Sequence, residues 1–244
     1  SQWIGGLYFL FSIILLIDIF DVSLKKTFTN YLSFSTSETL KQSAKILILY
    51  SVLTFAIFIL LNLINIRAFN AFNLSMTIIS SGGFMPTNTF DEIITNNNQY
   101  LVISFTMLIS FFSLFLFYNL LSFKKTSYLY QEDILLFFYL IILVLLTYVF
   151  FNDYYDYKSI FFSLASSLSN IGLAPTNSPN RLVFLFLIIV IIGGGYFSTS
   201  SGLNFIKVYV LIKFSLNELL SIARPKYVTT TKLYLSGIKF ESNE

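Results

Sequence analysis

The 244-residue sequence contains no cysteine and no histidine. That excludes disulfides, Cys/His metal sites, thiol nucleophiles and the usual side-chain proton shuttle. No cluster of nucleophile, base and metal ligand stands in their place, so the chain does not read as an enzyme and needs no cofactor. Charge is equally scarce. Lys, Arg, Asp and Glu make up 11% of the residues, against about 25% in a soluble domain. With 56% hydrophobic residues and a mean hydropathy of +0.76, the chain cannot cover itself with polar surface. It reads as an integral membrane protein whose first partner is the lipid bilayer. A net charge of +3 is too small to argue for nucleic acid.

What is present is a series of apolar runs. Residues 3–20 form a first, short run; 46–66, 100–123 and 134–151 are each about the length of a membrane crossing. Residues 182–192 are too short alone. They run into Gly193-Gly194-Gly195 and Ser198-Thr199-Ser200-Ser201-Gly202, then resume as 203–222. That pattern predicts one membrane segment broken in its middle. Two stretches of about a dozen residues, 68–80 and 159–169, are too short to span and too apolar for ordinary loops. They are expected to be re-entrant helices.

Each of these short stretches ends in the same kind of turn. Gly83-Phe84-Met85-Pro86-Thr87-Asn88 recurs as Gly172-Leu173-Ala174-Pro175-Thr176-Asn177, 89 residues later, and at that offset Phe72 matches Phe161 and Ser80 matches Ser169. One such glycine on its own reads as a helix C-cap. Two copies in equivalent places between spans favour a filter strand, because backbone that is not helical at membrane depth is tolerated only where protein or water covers it. A glycine there lets carbonyls turn toward an ion. The candidate ion-binding residues are Ser81, Gly82 and Gly83 in the first turn and Asn170, Ile171 and Gly172 in the second. A transported cation at these positions is the only metal expected. Asn170 is expected to cap its turn or to hydrogen-bond to the neighbouring filter segment.

The basic residues set an orientation. If the first run goes from outside to inside, the inner side receives Lys25, Lys26, Lys41, Lys45, Lys124, Lys125, Lys207, Lys213, Arg224, Lys226, Lys232 and Lys239. The outer side receives Arg67, Lys158 and Arg181. Twelve against three is a positive-inside bias. Both glycine turns then face outward, with Asp91, Glu92, Asp153 and Asp156 beside them to raise the local cation concentration.

The break at residues 193–202 has two readings. A flexible loop in hydrocarbon would leave peptide groups unpaired at several kcal/mol each. It is therefore expected to line a cavity under the filter, where small residues suit a gate that changes backbone conformation. The gating-loop candidates are Gly193, Gly194, Gly195, Ser198, Thr199, Ser200, Ser201 and Gly202. Lys207 and Lys213 read either as intramembrane charges or as side chains snorkelling toward the inner surface. Asp18 is placed at the inner interface beside Asp21, and Tyr154, Tyr155 and Tyr157 in an interfacial belt.

These motifs together resemble the TrkH/KtrB branch of the superfamily of K+ transporters, over nearly the whole chain. Ser1-Gln2-Trp3-Ile4-Gly5-Gly6 looks like the motif that opens the second span of the family's first pore repeat. Ser81-Gly82-Gly83-Phe84 is similar to a family filter, and residues 192–207 to the long glycine- and serine-rich signature, followed by Arg224-Pro225. Phe197, Ser200 and Ser201 stand where the family favours glycine, and Asn204 where it favours lysine. The resemblance implies an all-α membrane protein of repeated span–pore helix–filter–span units with one broken span. Residues 1–43 would hold the second span of the first repeat and a linker, 44–127 the second repeat, 128–223 the third with its intramembrane loop, and 224–244 a cytoplasmic linker. The first filter and the fourth repeat are not in the sequence, and the abrupt start at a repeat junction reads as a cropped chain. The implied function is K+ uptake at a bacterial inner membrane by a multi-pass homodimer with a cytoplasmic nucleotide-binding regulatory subunit. Na+ or mixed-cation permeation, or a non-conducting scaffold or remnant, are the alternatives.

Overall fold

A computed structural model describes residues 1–20, 39–94, 96–114, 116–117, 131–151, 156–175, 182–195, 198–223, 232–235 and 238–241. Several residues used above lie outside these: Asp21, Lys25, Lys26, Lys124, Lys125, Asp153, Tyr154, Tyr155, Thr176, Asn177, Arg181, Tyr196, Phe197, Arg224, Pro225 and Lys226. So does the side chain of Asp18.

The described chain is helical almost throughout. In order it forms α1 (Gln2–Phe20), α2 (Thr39–Leu63), α3 (Ala68–Ile79), a 3-10 turn (Phe90–Glu92), α4 (Asn97–Phe111), α5 (Gln131–Phe151), α6 (Tyr157–Leu168), α7 (Val183–Ile191) and α8 (Phe205–Ala223). The regular spans follow from long runs of Leu, Ile and Phe that close every backbone hydrogen bond within the helix, as a bilayer requires. Two segments, Ala44–Leu63 and Glu132–Phe151, are long and apolar enough to cross a membrane. On α5 a continuous apolar surface is exposed, including Phe137, Phe138, Ile142, Leu145 and Val149, which suits contact with lipid.

The two short helices occupy the core. α3 and α6 have 12 residues each, a rise of about 18 Å against a hydrocarbon thickness of roughly 30 Å, so neither can cross. α3 packs on α2, while α6 packs most closely on α4. α6 is buried along nearly its whole length, from Ile160 to Leu168. Phe162 is fully buried, with its ring 4.7 Å from Phe90 and 5.5 Å from Tyr100. Tyr100 in turn donates to Asp91 at 2.5 Å. This aromatic knot joins α6, the 3-10 turn and α4. Phe162→Ala is therefore expected to cost about 3–5 kcal/mol, seen as a lower melting temperature in detergent. An unchanged melting temperature would show that the knot does not hold α6.

Two features differ from the sequence expectation. The apolar run 100–123 is not one continuous helix. α4 begins at Asn97, where the Gln99 side chain accepts the Asn96 N–H at 3.1 Å and donates to Ile64 O at 2.9 Å. It ends at Phe112, whose backbone is extended (φ −77, ψ 158), and helical backbone returns at Leu114. Second, residues 224–244 are not linker throughout. Lys232–Leu235 and Ile238–Glu241 pair as an antiparallel hairpin, with Lys232 opposite Glu241.

Candidate functional site: two turns above an intramembrane loop

The turns that follow α3 and α6 share one backbone. Each helix closes on a serine in the α region, Ser80 (φ −92, ψ −1) and Ser169 (φ −82, ψ −6). The hydroxyls donate back to Met76 O and Ala165 O, both at 2.7 Å. Two residues later Gly82 N donates to Thr77 O at 2.9 Å and Ile171 N to Ser166 O at 3.1 Å. Ser81 (φ 50) and Asn170 (φ 55) are left-handed, and so are Gly83 (φ 76) and Gly172 (φ 77). Every member of the first set is 89 residues before its counterpart. Left-handed residues at alternate positions stop the chain from continuing as a helix or a pleated strand, so its carbonyls are not all consumed by regular partners.

The two turns abut. A Cβ on Gly83 would overlap the carbonyl oxygen of Ile171, whereas the same position on Gly172 faces open space. Ile171 itself is buried. Sequence reasoning left Gln2 without a role; its side-chain nitrogen donates to Gly82 O at 2.5 Å. A carbonyl has two lone pairs, so this bond leaves one for another donor or an ion. The signal was the motif around Trp3, whose Nε1 donates to Thr54 Oγ1 at 2.9 Å and so fixes α1 against α2.

Between α7 and α8 the described residues 192–195 and 198–204 are non-helical. α7 has nine residues, which rise about 14 Å, half of a roughly 30 Å hydrocarbon layer. The neck of the loop is closed by Gly193 N to Leu203 O at 2.8 Å, Leu203 N to Ile191 O at 2.9 Å and Phe205 N to Gly194 O at 3.2 Å. Its crown docks on the broken end of α4. Gly195 N donates to Phe111 O at 3.0 Å and Ser200 N to Ser110 O at 3.3 Å. These carbonyls are free because α4 stops at Phe112, and Ser113 N is taken by the Asp133 carboxylate. Gly194 N donates to Ser200 Oγ at 2.9 Å, and the Ser198 and Ser200 hydroxyls pair at 2.9 Å. A side chain at Gly194 would overlap Phe111 O, so only glycine allows this approach. Ser201 and Gly202 are exposed.

Between the Ser80–Ser81 turn and the loop lies a cavity of about 570 Å³. Ser80, Ser81, Ser198, Thr199 and Ser200 bring hydroxyls to it, and Asn204 and Lys207 line its other wall. Lys207 thus borders the cavity, while Lys213 lies 5.8 Å over the ring of Tyr209. Asn170 neither caps its own helix nor bonds to the other turn: its Nδ2 donates to Ser201 O and, at 3.4 Å, to Val190 O.

No protein-family model matches the sequence, and no curated protein does. Among solved structures, the potassium transporter TrkH from Vibrio parahaemolyticus is similar to this chain, with a TM-score of 0.80 and 19% identity. The match covers 97% of this chain and 51% of that one, so this chain spans about half the length of that transporter. The chain therefore has a TrkH-like fold.

Proposed function

We propose that the protein carries monovalent cations across a membrane, with K+ as its substrate. Ions pass a filter formed by backbone carbonyls of Ser81, Gly82, Gly83, Asn170, Ile171 and Gly172, with matching segments from further repeats. The single observation that supports this most is the shared backbone of the two turns, left-handed at Ser81 and Gly83 and again at Asn170 and Gly172. Two helices capped alike and ending in abutting turns of one backbone suit a site where carbonyls replace the hydration of a cation. The loop carrying Gly193, Gly194, Gly195, Ser198, Thr199, Ser200, Ser201 and Gly202 gates the cavity beneath. In this reading residues 44–127 and 128–223 are successive pore repeats. The assembly is a homodimer in a bacterial inner membrane with a cytoplasmic nucleotide-binding regulatory subunit.

The test is ion flux by the intact protein in vesicles. K+ is expected to pass at least about tenfold faster than Na+, a difference of roughly 1.4 kcal/mol between the two ions. Equal rates would replace K+ selectivity with mixed-cation permeation. No flux from protein that is folded and correctly inserted would sink the transport reading in favour of a membrane scaffold.

A further inference from the structure

The two repeat-equivalent residues Ser81 and Asn170 both reach the intramembrane loop. Asn170, held left-handed at φ 55, sends its Nδ2 to Ser201 O in the loop and to Val190 O in α7 at 3.4 Å. Ile191, Gly193 and Gly194 of the loop's neck lie between those two acceptors in sequence. The orientation of the amide follows from chemistry: flipped, its oxygen would face two carbonyl oxygens with nothing to share. As it stands, Oδ1 is buried without a partner among the described residues. A buried acceptor left unpaired is unfavourable, so the contacts made by Nδ2 hold the side chain there against a cost. Ser81, at φ 50, places its Oγ 3.5 Å from Thr199 Oγ1, and Thr199 Oγ1 is 3.5 Å from Ser110 O at the broken end of α4.

We propose that Asn170, with Ser81 as its weaker counterpart, is a positioning residue that couples the filter turns to the loop, so that filter geometry and loop position form one equilibrium. The proposal rests on the reading of the loop as a gate. Withdrawing the loop from the cavity breaks the Asn170–Ser201 bond and releases the third-repeat turn. By linkage, whatever stabilises the turn also favours the docked loop.

Loop position can be read separately from flux. The 244-residue sequence has no cysteine, and Ser201 is exposed and enters the coupling only through its carbonyl. In a Ser201→Cys background of the intact protein, the labelling rate by a membrane-impermeant maleimide from the loop side reports withdrawal. Asn170→Gly removes the amide and keeps the left-handed backbone without strain. It is expected to raise labelling about tenfold, as the loss of one hydrogen bond allows. Asn170→Asp, which faces two carbonyls with an acceptor, should raise it at least as much. Wild-type labelling in both variants would overturn the coupling, and loop deletion would still judge the gate on its own. Faster labelling with unchanged K+ flux would uphold the coupling and sink the gate. If neither variant reaches the membrane, Ser81→Gly carries the test: faster labelling supports the coupling and unchanged labelling overturns it.

Discussion

Gly83→Ser is expected to lower the K+/Na+ flux ratio of the intact protein by about tenfold while leaving most of the protein folded. Two independent effects act at this residue. Its φ of 76 is a conformation in which a Cβ costs roughly 1–2 kcal/mol. The added Cβ also meets the Ile171 carbonyl oxygen, which belongs to the other turn and cannot swing away as a flexible side chain would. Relief therefore moves carbonyls in both turns together. Gly172→Ser is the control: φ is 77 but the Cβ position is open, so only the first effect applies and the loss of selectivity should be smaller. Flux of both ions, normalised to folded protein, checks this. Equal flux ratios in Gly83→Ser and wild type would remove Gly83 from the filter, and equal losses in the two variants would show that contact between the turns is irrelevant.

Much of the architecture could be read from the chain because bilayer physics leaves few choices. Apolar runs had to be helices, and the half-length stretches ending in glycine had to stop inside the protein. The 89-residue repeat already placed Ser80 opposite Ser169 and Gly83 opposite Gly172, and these positions have the same caps and the same φ signs. The glycine- and serine-rich stretch after Ile192 is a loop for the reason its composition gives: it is poor helix material.

What could not be read depends on partners distant in sequence. Residues 100–123 contain no glycine or proline, so nothing local marks a break at Phe112. The break is maintained by tertiary bonds: the loop's Gly195 N and Ser200 N take the freed carbonyls, and Asp133 takes the Ser113 N–H. Asp133, just before the apolar run 134–151, has an Oδ1 that is buried without a partner among the described residues. The direction of Asn170 was equally hidden, since Ser201 lies 31 residues away. The acceptance of the Tyr100 hydroxyl by Asp91 was hidden as well. The hairpin at 232–241 was short enough to pass for linker, although Lys232-Leu233-Tyr234-Leu235 alternates as a strand does.

Deleting Ser198, Thr199 and Ser200 is expected to raise cation flux per folded protein by about tenfold or more. The deletion leaves the neck intact, since Gly193 N, Leu203 O and Ile191 O are untouched. It removes the Ser200 N–H bond to Ser110 O, the Ser200 hydroxyl that accepts from Gly194 N, and the Ser198–Ser200 hydroxyl pair. Of these only the Ser200 N–H bond crosses to α4, together with the Thr199 hydroxyl contact to Ser110 O that the deletion also removes; at about 0.5–1.5 kcal/mol each, losing both shifts the docked-to-withdrawn equilibrium by about tenfold. The same deletion takes three of the hydroxyl-bearing side chains out of the 570 Å³ cavity, which widens the path below the turns. The caps at Ser80 and Ser169 and the left-handed residues beyond them are untouched, so any fall in selectivity reports the lost Ser81–Thr199 and Asn170–Ser201 contacts between the turns and the loop. A passive kink gives another result. Ser110 O and Phe111 O are then only structural acceptors, and losing one of their donors lowers abundance with no gain in flux per molecule. Measuring flux against the folded fraction separates the two, and a fall in both would end the gate reading.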